Sequence, residues 1–278
     1  MAKQTSDITL SGKLGDHVHY SRGGKHFTKR ASAKPYNFSP GSIAAQQAFG
    51  LGSQTGKQLK TALKTVLAEY KYEGVHNRLT EVCKRIFRNG PVHELESKNF
   101  IDHNIKMLLG LNLNKHAAIN SLILQNPIIL GYDPSGQVKL TIAEHNPMTA
   151  FSNLLKMHAI SIRFLFSVID LEASSFNHHQ TKDIIIPLYQ SHFTKLQGTF
   201  QVAPLNNKLF ICCTQVRYYG NADYSSYSNN KKLVAAAITA VEYARDDMFV
   251  SYPPLDQQTT KAATTDSSPI NVIDIKWE

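Results

Sequence analysis

The stretch Leu10 to Arg30, LSGKLGDHVHYSRGGKHFTKR, leaves the chain few choices at its start. Val18 and Tyr20 fall on one face of a strand, His17 and His19 on the other. Arg22-Gly23-Gly24-Lys25 supplies a turn in which positive φ carries no Cβ penalty. His26 to Arg30 then returns as a second strand. A lone two-stranded hairpin is marginal in water, so this β-arm is expected to lie on something, the chain's own body or a neighbouring copy. Leu14, Val18, Tyr20 and Phe27 are the arm residues expected at an oligomer interface.

The charge is concentrated in the same region. Between Met1 and Lys64, ten Lys and Arg stand against Asp7 and Asp16, a net of +8 out of +9 for the 278 residues. Such asymmetry points to nucleic acid or an acidic surface as a partner for that quarter alone. The basic partner surface is expected at Arg22, Lys25, Lys29 and Arg30, together with Lys57, Lys60 and Lys64, which share one helical face. A solubilising arm is the plainer alternative. No apolar run approaches the roughly 18 residues of a membrane span. The start, MAKQTSDITL, has no apolar h-region. The chain is therefore expected in the cytoplasm, or exported within an assembly without a classical signal peptide. Cys83, Cys212 and Cys213 form no disulfide framework and read as reduced thiols.

After the arm, Ala31 to Gly41 carries two prolines and reads as an extended connector, and Ser39-Pro40 as a helix start. Gly50, Gly52 and Gly56 predict a helix that weakens or breaks near Gly50. Leu59, Leu63, Val66, Leu67 and Tyr70 form an apolar helical stripe, repeated by Val75, Leu79, Val82 and Ile86 up to the stop Asn89-Gly90-Pro91. These helices are expected to form an antiparallel hairpin. Their stripes, Leu63 and Val66 included, belong either to a core or to an oligomer seam. Strands are predicted over Val138–Ile142, Ala159–Leu171, Ile184–Tyr189, Lys195–Val202, Leu209–Tyr219, Leu233–Tyr243 and Val272–Trp277, with a polar loop at Gln257–Ser268. The expected fold is α+β: a β-arm and linker over residues 1–40, a helical platform over 41–106, and an antiparallel β-sandwich over 107–278.

No chemistry stands out. Gly52-Ser53-Gln54-Thr55-Gly56-Lys57-Gln58 fails the phosphate-loop spacing and lacks its hydroxyl. His17, His19 and His26 want a fourth ligand for a metal. His178-His179 read as loop histidines, and Asp246-Asp247 as a solvated turn. No catalytic motif is present, so no enzyme activity, cofactor or metal is expected. Tyr218, Tyr219, Tyr224 and Tyr227, in YYGNADYSSYSNN, have the composition of an adaptable binding loop, with an ordinary hairpin loop as the alternative.

The N-terminal third resembles a family of short uncharacterised bacterial proteins. The matching residues are Met1 to Gln4, Gly12, Leu14, Gly15, Asp16 and Tyr20, then Gly56-Lys57-Gln58-Leu59-Lys60-Thr61-Ala62-Leu63 and Arg78-Leu79-Thr80. His19 departs from the aromatic residue usual there. The resemblance implies an arm-plus-helix platform carrying a variable β-rich half, and brings no activity or cofactor. Arm, stripes and absent chemistry together lead to the expectation of a structural protein that self-assembles into a homo-oligomer or filament. The alternative is a nucleic-acid-binding or packaging-associated protein using the basic quarter.

Overall fold

The computed structural model describes residues 2–4, 9–31, 38–68, 74–88, 99–152 and 156–253. Most of the connector, the stop signal at Asn89-Gly90-Pro91, the Gln257–Ser268 loop and the last expected strand, Val272–Trp277, lie outside the described residues. The fold is α+β with antiparallel sheets. The chain divides into two compact units, Met1–Gln46 and Gln47–Glu278.

In the first unit, β1 (Ala2–Lys3), β2 (Gly12–Leu14), β3 (His17–Arg22) and β4 (Lys25–Arg30) form a four-stranded sheet in the order β1-β4-β3-β2. Gly23 and Gly24 turn β3 into β4 with φ of 58° and 72°, the paired positive values that a two-residue hairpin of matching twist requires. The arm is thus a sheet in its own right. Gln4 clips it shut: its backbone N donates to the His26 carbonyl, and its side chain reaches Phe27 O at 3.2 Å and accepts from Leu10 N at 2.9 Å.

Helix α1 runs unbroken over Pro40–Ala62, with Ser42 N donating to the Ser39 side chain at its start. It is followed by α2 (Lys64–Ala68) and α3 (Val75–Arg88). The break expected at Gly50 does not occur, because two of the three glycines sit against α3. A Cβ on Gly52 would lie 2.7 Å from Lys84 N, and one on Gly56 3.0 Å from Thr80 N. The one-turn spacing of the glycines on α1 faces the one-turn spacing of Thr80 and Lys84 in reverse order, so the helices run antiparallel with their backbones touching. The entropy lost at glycine is offset by this close approach. The phosphate-loop-like stretch is therefore helix interior.

The second unit continues with α4 (Ile119–Leu122), β5 (Ile128–Tyr132), β6 (Gln137–Ile142), α5 (Pro147–Ala150), β7 (Ala159–Asp170), β8 (Ser175–Gln180), β9 (Ile184–Pro187), β10 (Leu196–Gln201), β11 (Leu209–Tyr219), β12 (Val234–Arg245) and β13 (Met248–Phe249). They make a three-stranded sheet, β10-β6-β5, and a six-stranded one, β13-β12-β11-β7-β8, with β9 also on β7. Two cores result. Phe164, Phe166, Phe210 and Val216 cluster with Leu130, Val138 and Leu140 of the smaller sheet. Leu165, Ile169, Ile211 and Ile238 cluster with Leu59, Leu63, Val66, Leu79 and Ile86 of the helices. The helices and the β-rich half thus share a core. Asp246 and Asp247, with φ of 52° and 57°, make the two-residue turn between β12 and β13. The His178-His179 stretch is strand, not loop. His178 bonds Ser167 Oγ at 3.1 Å, and His179 lies against the Phe200 ring. Among the described residues, no helix is long and apolar enough to cross a membrane.

Gly52→Ala and Gly56→Ala should each lower the unfolding free energy by about 1–3 kcal/mol, because the methyl must displace α3 backbone. Gly50 meets nothing within 4 Å, so Gly50→Ala should raise it by about 0.5–1 kcal/mol. Urea unfolding of the three variants reads both signs.

Candidate nucleic-acid interface

Register decides which arm residues share a face. Val18 pairs with Lys29 and with Lys13, Tyr20 with Phe27, Arg22 with Lys25, and Phe27 with Lys3. Directly paired residues point to the same side. One face of the sheet therefore carries a central row of Lys3, Phe27 and Tyr20. It is flanked by a row of Lys29, Val18 and Lys13 and by a row of Lys25 and Arg22, each about 7 Å away along the strands. The five cations are exposed, and Val18, Tyr20 and Phe27 are half-buried. The Tyr20 and Phe27 rings stack at 5.8 Å between centroids. Among the described residues, no carboxylate lies within ion-pair distance of any of the five cations.

The opposite face is different. His17 pairs with Leu14 and Arg30, His19 with Thr28, Ser21 with His26. Several of its polar groups pair: His19 Nδ1 meets Thr28 Oγ1 at 2.9 Å, and Asp16 holds His17 at 2.7 Å and Arg30 at 3.2 Å, whereas His26 Nδ1 is buried with no hydrogen-bond partner among the described residues. Two expected residues are thus regrouped. Leu14, 65% exposed, lies on the histidine face and not beside Val18 and Tyr20. Arg30 lies there too, already engaged. Lys3 and Lys13 take their places on the basic face. Alternation would have found Lys13 once the Gly15-Asp16 turn fixed how β2 meets β3. Lys3 had no such signal, since two residues of strand carry no period.

The remaining candidates are in the second unit. Lys57, Lys60 and Lys64 are exposed on the solvent side of the helices. Leu63 and Val66 are buried in the chain's own core, the alternative weighed for their stripe. The tyrosine cluster divides. Tyr218 is fully buried and donates to Ser152 O at 2.7 Å, so it is a core residue. Tyr219 stacks on Tyr227 at 4.5 Å, and Tyr224 lies 5.7 Å from Tyr219, with its hydroxyl 3.3 Å from that of Tyr189.

Tyr227 belongs to an ion cluster that had only a faint trace in sequence. Asp183 accepts from Arg163 Nε at 2.5 Å, from Arg217 and from the Tyr227 hydroxyl, and the Arg217 guanidinium lies 3.7 Å from the Tyr227 ring centre. Arg163 and Arg217 interrupt apolar strands, and a cation in such a position requires a partner. Burial alone would raise the Asp183 pKa, but hydrogen bonds from Arg163 and Tyr227 and the charges of both arginines outweigh it and hold the group below its ordinary value. The cluster ties the 220–230 loop to β7, β9 and β11, which is a structural task. The thiols offer no nucleophile at neutral pH. All three are buried, and burial pushes Cys83 and Cys212 up to about 12. Among the described residues, no group of three or more His, Cys, Asp or Glu is placed to hold a metal ion.

Because its folded pKa is depressed, Asp183 contributes stability that is full above the unfolded value near 3.9 and is lost as the pH falls through the folded value. Asp183→Asn should cost about 2–4 kcal/mol at pH 7. The gap to the parent should close progressively below about pH 4. Urea midpoints at neutral and acidic pH measure both; a gap independent of pH would remove Asp183 from the cluster's energetics.

The chain matches no protein-family model, no curated protein and no solved structure.

Proposed function

We propose that the N-terminal sheet is a nucleic-acid-binding module whose basic face contacts phosphates through Lys3, Lys13, Arg22, Lys25 and Lys29. The observation that carries this is the register, which gathers five cations on one side, while Asp16 pairs with His17 and Arg30 of the other. Five like charges with no carboxylate partner among the described residues fit a polyanion, and binding then releases condensed counterions. The same charges weigh against the self-docking first expected of Val18 and Tyr20. A second copy brings another net +9, and placing this face on it would desolvate lysines without partners. Lys57, Lys60 and Lys64 add a further basic strip. Nothing in this function calls for a reaction.

A homo-oligomer remains the second reading, on a different surface. Phe38, Ile43 and Phe49 are exposed at and near the start of α1, with Phe49 at 58%. If these residues bind a second copy, Phe49→Ser should reduce the particle size seen by light scattering at roughly 100 μM, by mass action. A full-length protein already monomeric there would end that reading.

For the nucleic-acid module, changing Lys13, Lys25 and Lys29 together to Ser should flatten the slope of log K against log salt by about 2. Arg30→Ser, on the other face and paired with Asp16, should leave it unchanged. Fluorescence anisotropy with labelled DNA between about 50 and 200 mM salt gives both slopes. Equal slopes in parent and triple variant would sink the proposal.

A further inference from the structure

On the reading that this face binds nucleic acid, we infer that the ligand is single-stranded and that Tyr20 and Phe27 stack on its bases. A purely phosphate-reading surface needs cations and no aromatic rings, because in a duplex the base faces are hidden. Here the centre of the cationic face is aromatic. Tyr20 and Phe27 are directly paired across β3 and β4 and half-buried, with ring planes 27° apart. A sheet face presenting neighbouring rings is a platform on which successive unpaired bases can lie, since every base has a π-face. The flanking rows complete it. A base on either ring would have its backbone within side-chain reach of Lys13 and Lys29 on one side and of Arg22 and Lys25 on the other. Lys3, beside Phe27 on the edge strand, extends the charge along the central row. None of these residues reads a base edge, so binding should be tolerant of sequence.

The test uses the full chain and three probes at low salt: a labelled oligo(dT), a duplex of the same length, and heparin, a polyanion without bases. Oligo(dT) should bind at least about 10-fold more tightly than the duplex. Tyr20→Leu with Phe27→Leu should weaken oligo(dT) binding about 10- to 100-fold and leave heparin binding within about twofold. Tyr20→Phe, which keeps the ring, should retain oligo(dT) binding within about threefold. Duplex bound as well as oligo(dT), or a double variant that keeps its oligo(dT) affinity, overturns the inference while leaving the phosphate-binding function standing. A double variant that loses oligo(dT) and heparin alike makes the ring pair structural only, and also overturns it. Heparin bound without oligo(dT) assigns the face to an acidic protein or polysaccharide. Failure to bind any of the three defeats the nucleic-acid function itself.

Discussion

The second unit depends on β11. Its eleven residues, Leu209 to Tyr219, are all buried, and it pairs with β7 along its whole length and with β12 on the other side. A strand covered on both faces must place apolar groups at odd and even positions alike, and the ladder must satisfy its backbone on both edges. Phe210, Cys212 and Val216 serve one core, Leu209, Ile211 and Cys213 the other. The β11–β12 register shifts between Cys212 and Cys213, leaving Thr239 as the extra residue in β12. This bulge reverses the parity of β12: Ala235 and Ala237 point to the first core before it, Ala240 and Ala244 after it. Thr239 fills the irregularity by meeting Thr214 Oγ1 at 2.8 Å.

Two polar clusters follow from the same constraint. Where β11 and β7 carry Arg217 and Arg163, Asp183 and Tyr227 must come to them, which fixes the course of the 220–230 loop. Where β12 carries the buried Glu242, Lys106 reaches across to bond both its carboxylate and the Val241 carbonyl, and the Tyr132 hydroxyl donates to it at 2.8 Å. Burial, together with that carboxylate, pushes the Tyr132 hydroxyl well above its usual range. These contacts link β12 to the turn around Lys106 and to the smaller sheet. Removing one partner of such a cluster leaves a buried charge without compensation, which costs more than the intact pair returns.

The long strands were legible because apolar, β-branched runs of ten or more residues bounded by turn signals have few other outcomes; Leu209–Tyr219 was read to the residue. So was α3, where the 3.6-residue period is uninterrupted. The glycines of α1 misled for a physical reason. Intrinsic propensity counts only their cost, and the compensating approach of Thr80 and Lys84 is a tertiary fact. Strand β8, Ser175–Gln180, escaped because its ladder to β7 supplies what its polar sequence does not. In the arm, the turn and both main strands were readable, and so was the alternation of Val18 and Tyr20 against the histidines. The basic face was only half readable. Lys25 and Lys29 follow from alternation in β4, whereas Arg30 was grouped with them by proximity in sequence, which a two-residue period does not respect.

The uneven charge of the chain then has a structural explanation. From Lys3 onward no described residue of the four-stranded sheet is fully buried, so it has little apolar burial with which to offset repulsion among Lys3, Lys13, Arg22, Lys25 and Lys29. Hairpin turns with glycine at positive φ, the Gln4 clip and the His19–Thr28 and Asp16–Arg30 contacts of the opposite face are its means of holding shape. Gathering these five cations on one face while Asp16 pairs with His17 and Arg30 of the other makes that shape less stable than an even mixture of charges would. On the proposed function a polyanion would supply the missing counter-charge, and a ligand that binds only the folded sheet stabilises it by an amount that grows with the logarithm of its concentration above Kd.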